Sequence, residues 1–315
     1  MHPALSVIVF TTFSGAGYGL LAWLGVLAPA GLLPAERGFG AAALGLAMVT
    51  VTTGLIASTF HLGHPERAWR AFSQWRSSWL SREGVASVAT YGPALLFAIG
   101  WVIFGSAAGL WALFGLATAL AAAVTVGCTA CIYQSLKPIQ RWHNGWVLPN
   151  YLALAAMTGA LWLAALTQIF GLDPLAGIVA VLGSIPLALA LKVAYWRFID
   201  GSRSRSTAGS ATGLGAFGQV RLFEAPHTSD NYLMKEMGFR IARKHAAKLR
   251  RIAIGIGFVA PFALTLASLA FSGLAAAALA VVAALLGMVG VLVERWLFFA
   301  EAKHTVTLYY GQSTA

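Results

Sequence analysis

Eight stretches of this chain are each long and apolar enough to cross a bilayer, and together they make up more than half of it. They cover residues 5–28, 40–60, 85–105, 109–133, 146–170, 174–195, 252–271 and 273–297. A helix needs about 20 mostly apolar residues to span the hydrocarbon. Lipid offers the backbone no hydrogen-bond partners, so segments of this length must be helices. Three connectors are very short, near Ser106, near Asp173, and at Ser272 and Gly273, which folds their neighbours into antiparallel hairpins. The predicted fold is an all-α integral membrane protein: eight transmembrane helices forming a single membrane domain over 1–315. Composition agrees, since only 10% of residues are charged where a soluble chain carries about 25%. Gly- and Ala-rich runs such as "GLATALAAAVTVG" let helices approach closely. The opening "MHPALSVIVF" lacks the positive n-region of a signal peptide, so 5–28 reads as a retained first span.

Charge sets the expected orientation. Eight spans place both termini and the connections after spans 2, 4, 6 and 8 on one side. Of the 21 Lys and Arg residues, all but Arg37 fall there. The positive-inside rule then puts both termini in the cytoplasm, in a multi-pass protein of the cytoplasmic (inner) membrane. A net charge of +11 would suggest nucleic acid in a soluble protein. Here the basic residues avoid the apolar segments, so the expected partner is membrane lipid and not nucleic acid.

The one long loop, about 197–251, is basic and predicted cytoplasmic. It begins "GSRSRSTAGSATGLG", a flexible linker by composition. It continues "TSDNYLMKEMGFRIARKHAAKLRR", a basic amphipathic helix that Thr228, Ser229 or Asp230 would cap. That helix reads either as a lipid-headgroup surface or as a docking surface, and the two are compatible.

Ionisable groups gather at the predicted cytoplasmic ends: His61, Arg67 and Glu83; Lys137, Arg141 and His143; Glu294, Arg295, Glu301 and His304. The spans themselves read as nearly free of charge, which speaks against a pump or a secondary transporter with midplane binding groups. None of the seven histidines is mid-span, so no haem is expected in this chain. Cys128 and Cys131 lie one turn apart in an apolar segment, where packing is preferred to a redox or metal role. No metal site is expected.

A site at the membrane edge suits a ligand with a polar head and an apolar tail, such as a quinone. Its carbonyls need donors such as His, Arg or Trp, and a carboxylate or imidazole can relay its protons. Within "FHLGHPERAWRAFSQWRSSWLSREG" (60–84), the arginines and tryptophans also read as topology anchors and an interfacial belt. His61 and Glu83 are not needed for topology, which favours function.

The same residues carry a resemblance to the membrane-anchor subunits of dimethyl sulfoxide reductases. "HLGHPERA" (61–68) resembles that family's HLG-x-P-x-R-A motif, and "SWLSREG" (78–84) its S-x-L-S-x-E segment. "CIYQSLKPIQRWHN" (131–144) and "ERWLFFAEAKHTVTLYYG" (294–311) resemble two further segments in the same order. The opening looks closer to membrane subunits of cytoplasmic sulfite dehydrogenases. The resemblance implies an anchor and quinone-binding subunit with no catalytic centre of its own. Its partners would be an iron–sulfur subunit and a molybdopterin catalytic subunit on the cytoplasmic side. Electrons from sulfite oxidation would reach ubiquinone or menaquinone. By likeness, His61, Arg67 and Glu83 occupy the quinone positions. Tyr133, Glu294 and His304 are further candidates for quinone contact or proton relay; Arg70, Arg76, Arg141 and Trp142 are candidates for partner docking. The alternatives are an anchor that draws electrons from quinol, a purely structural anchor, and a secondary transporter.

Overall fold

The structure, a computed structural model, describes residues 3–60, 62–202, 206–224, 228–229, 231, 234–235 and 244–313. Its eight long apolar helices are α1 (Leu5–Leu27), α2 (Arg37–Thr59), α3 (Trp79–Ile103), α4 (Leu110–Gln134), α5 (Val147–Ile169), α6 (Leu175–Gly201), α7 (Ala246–Ser268) and α8 (Gly273–Ala300). These correspond one for one to the predicted spans. Among the described residues there is no β-strand.

Several helices run beyond their apolar windows. α3 begins at Trp79, where the Ser78 hydroxyl caps it by accepting from the Ser81 N–H at 3.4 Å. α6 continues to Gly201 and α8 to Ala300. The extension brings Glu83 into α3, while Lys192, Glu294 and Arg295 lie within the apolar windows themselves, and all four are buried. The expectation of nearly charge-free spans is corrected by these residues.

α1 and α5 are the inner helices. α1 packs on α2, α4, α5 and α8, and α5 on α1, α4, α6 and α8; α3 lies against α4 and α7 against α8. Between helices in lipid there is no hydrophobic drive, so close van der Waals fit must hold the bundle. At the α1–α5 crossing, a Cβ on Gly19 would sit 1.8 Å from the Ala155 carbonyl oxygen, and one on Gly159 would sit 2.2 Å from the Gly19 carbonyl carbon. Only glycine permits that approach. The Trp23 indole N–H fastens the same crossing by donating to the Ala156 carbonyl at 2.8 Å.

Pro93, Pro186 and Pro261 lie within apolar stretches without breaking their spans. Pro186 lies inside continuous α6. Pro261 follows a π-turn over Gly255–Val259, and the helix continues beyond it.

The connectors on the basic face are structured. A 3₁₀ helix, Pro65–Gln74, lies along the start of α3. The Ser81 hydroxyl donates to the Ala71 carbonyl, and Arg82 donates to the carbonyls of Trp75 (3.0 Å) and Arg76 (2.8 Å). Part of the predicted flexible linker is an ordered turn. Thr207 and Ser210 form a capping box on the short helix Ala208–Thr212. The Tyr309 hydroxyl, on the 3₁₀ helix Thr305–Tyr310, donates to the Ala211 carbonyl at 3.0 Å and holds this turn in place. Asp230 and most of the basic helix expected after it lie outside the described residues.

Candidate functional site

Glu83 sits in the second turn of α3 and is 6% exposed. Its Oε1 accepts from the Thr129 hydroxyl of α4 at 2.7 Å. Among the described residues no cation pairs with it. Helical spacing puts Ser87 and Thr90 on the same face as Glu83, and Thr90 meets Thr125 of α4 hydroxyl to hydroxyl at 3.1 Å. Tyr18 of α1 reaches this seam beside Ser87. The hydroxyls of Tyr18 and Ser87 are buried, and neither completes a hydrogen bond of good geometry. Each unmade bond of this kind costs about 1–3 kcal/mol. The seam thus holds one carboxyl tied to one hydroxyl, and two adjacent hydroxyls that complete no bond of good geometry. That donor set fits the carbonyl oxygens of a quinone.

The other predicted residues are spread more widely. His61 lies outside the described residues. Arg67 is exposed on the 3₁₀ helix, with Nε 3.7 Å from Glu66 Oε1, and makes no ion pair with Glu83. Arg70 and Arg76 are also exposed, their guanidinium groups 5.6 Å and 5.5 Å from the rings of Trp69 and Trp75. Arg141 reaches Glu301 at 3.6 Å. Trp142 is buried, 2% exposed, and its indole N–H donates to the Phe298 carbonyl at 2.9 Å. Tyr133 lies in the same aromatic cluster, edge-on to Trp142 and stacked on Tyr151. Both cysteine thiols are free.

The charge network around Glu294 is what sequence reading missed. The Lys192 ammonium donates to Glu294 Oε1, and Arg295 stands 3.5 Å from Oε2. Arg295 also lies over the Tyr151 ring at 3.6 Å, and Lys192 over the Tyr195 ring at 4.2 Å. Nearer the basic face, Glu301 accepts from Arg250 at 2.6 Å, and Arg250 also holds Asp200 at 2.5 Å. Arg141, Asp200, Arg250, Glu301 and Lys303 line an open cavity of about 650 Å³ there. The only advance signal was polar residues in otherwise apolar runs; Lys192 and Glu294 are 102 positions apart.

His304 has a local duty. Its Nδ1 accepts from the Val306 N–H at 3.0 Å and caps the 3₁₀ helix Thr305–Tyr310. Only the neutral ring can do this. Burial pushes the imidazole below its ordinary range. The folded-state value is thus the lower one: the cap's contribution is complete above the ordinary imidazole range and is lost as pH falls through the folded value. Hydrogen-exchange protection of the 305–310 amides should hold above the ordinary imidazole range and fall as pH drops beneath it. Protection unchanged across that interval would show that His304 does not titrate the cap.

Comparison with known proteins agrees with this architecture. The family model for DMSO reductase anchor subunit (DmsC) matches residues 1–311. A sulfite dehydrogenase subunit of Allochromatium vinosum is 35% identical over the full length of both chains. Anaerobic dimethyl sulfoxide reductase chain YnfH of Escherichia coli is 30% identical over 148 residues, 43% of this chain and 48% of that one. No solved structure matches. With eight membrane-crossing helices and a family match over nearly its whole length, the chain belongs to the DMSO reductase anchor subunit (DmsC) family, the multi-pass membrane anchors of DMSO reductase and sulfite dehydrogenase-type complexes.

Proposed function

We propose that this chain is the quinone-reactive anchor of a molybdopterin and iron–sulfur oxidoreductase. The basic face lies in the cytoplasm, as do both termini and the soluble partners. That sidedness rests on the 20 of 21 Lys and Arg residues gathered there. Sulfite is proposed as the electron source, supported by full-length similarity to a sulfite dehydrogenase subunit. The exposed Arg70 and Arg76, with Trp69 and Trp75 beside them, form the proposed docking surface for the iron–sulfur subunit.

The observation that carries the quinone reading is Glu83, a buried carboxyl held by Thr129 with no counter-charge among the described residues. Ionisable groups in a span are costly, and their presence there by default marks a function. Quinone takes up two electrons and two protons to become quinol. The electrons balance against sulfite and water giving sulfate, two protons and two electrons in a partner subunit. Within this chain, Thr129 orients Glu83, and Glu83 passes a proton to a quinone oxygen. His61 and Arg67 belong to the same proposed site by their motif positions. Protons enter from the basic face.

The test is to purify the tagged chain gently from membranes with its partners. We expect molybdenum and abundant iron to co-purify, and quinone reduction to depend on sulfite. Turnover only with dimethyl sulfoxide as acceptor and quinol as donor would overturn the sulfite assignment while keeping the site. A well-folded chain carrying no metal-containing partner would overturn the electron-transfer reading itself.

A further inference from the structure

A cleft of about 300 Å³ opens between α1, α4 and α5. Gly19, Ala22, Val26, Ala122, Ala123 and Val126 line it, so it is narrow, apolar and smooth. Ala123 is exposed on the outer surface of the bundle and Ala122 is buried, so the cleft leads inward from the lipid. Tyr18 lines it too. This tyrosine is 2% exposed, and its hydroxyl, beside Ser87, completes no hydrogen bond of good geometry. The Glu83 carboxyl, one turn before Ser87 on α3, is near enough to act on the tyrosine electrostatically.

A phenylalanine at position 18 would fill the same space without a buried hydroxyl left short of a well-formed bond. Trp23 in the same cleft satisfies its N–H on the Ala156 carbonyl, whereas among the described residues no group meets the Tyr18 hydroxyl with good geometry. The Tyr18 hydroxyl is therefore suited to an acceptor that comes and goes along the cleft. An isoprenoid quinone has the right form: a carbonyl oxygen at the head and a flexible apolar tail.

We propose that the quinone tail lies in the α1–α4–α5 cleft and that Tyr18 donates a hydrogen bond to a carbonyl oxygen of the head group, which Glu83 meets from α3. This rests on the reading of Glu83 as the quinone site. Tyr18 is assigned as a binding residue: it holds the head group and transfers no proton.

The test is to titrate the intact complex with a fluorescent quinone analogue, 4-hydroxyquinoline N-oxide, with a heptyl tail and without one. Tyr18→Phe should raise Kd for both probes by roughly three- to tenfold, the loss of one hydrogen bond. Ala123→Trp, at a lipid-exposed position that tolerates bulk, should raise Kd for the heptyl probe and leave the tail-less one unchanged. Co-purification of the partner subunits checks that each variant is assembled. Unchanged affinities in both variants, with Glu83→Gln still weakening binding, would overturn the cleft and Tyr18 while leaving the site at Glu83. Unchanged binding in all three variants would overturn both.

Discussion

Replacing Glu83 by Gln should cut quinone-linked turnover by about 100-fold or more and leave the complex assembled. The substitution keeps shape and volume, and the amide oxygen still accepts from the Thr129 hydroxyl, now at 2.7 Å from the carboxyl. What is lost is the proton. Transfer by a positioned side chain contributes about 10²–10⁴ to a rate. Because no ion pair holds Glu83 among the described residues, neutralising it strands no buried cation there. Activity with a soluble artificial acceptor, which bypasses the anchor, should stay at the unaltered level. Thr129→Val should give a smaller loss, since it frees the carboxyl without removing it. Full quinone turnover in Glu83→Gln would sink the assignment.

The second large effect concerns stability. Glu294→Gln should destabilise the chain by about 3–5 kcal/mol, the usual cost of breaking a buried pair from one side. Glu294 is the one carboxylate between Lys192 and Arg295, and all three are at most 3% exposed. Its loss leaves two buried cations facing each other. Lys192→Met should cost less, because Glu294 keeps Arg295 at 3.5 Å. The order of the two variants is thus more telling than either value. Thermal unfolding followed by labelling of the thiols of Cys128 and Cys131 would read it directly, Cys128 being 8% exposed in the folded state. A Lys192→Met protein that unfolds before Glu294→Gln would show that Arg295 carries none of the balance.

The eight helices were legible because lipid makes every spanning segment declare itself as an apolar run of fixed length. Their ends were not. Arg82 and Glu83 dilute the hydropathy of the first turn of α3, and Lys248, Arg250 and Arg251 do the same for α7. In both cases the helix starts earlier than the greasy window. Glu83 was legible as a candidate through its motif and its lack of any duty in topology. Its partner Thr129 was not, because a threonine in an apolar helix commonly bonds to its own backbone, as this one also does with the Thr125 carbonyl at 3.1 Å. The pairing of Lys192 with Glu294 could not be read, since it joins two helices and each residue alone resembles a charged span end. Trp142 looked like a surface aromatic in a polar loop, yet that loop folds back and seats its indole on the ring of Phe298.

The glycine crossing of α1 and α5 also bears on biogenesis. Trp23 and its acceptor Ala156 are 133 positions apart. At a synthesis rate of about 5–20 residues per second, α1 is in the membrane for roughly 7–27 seconds before α5 arrives. Over that interval the furrow at Gly19 has no helix to close it, and lipid chains or a chaperone must occupy it. The first four helices are therefore a half-built object, not an autonomous module. A nascent chain stalled before Val147 would present the insertion machinery with an inner helix that has nothing to be inner to.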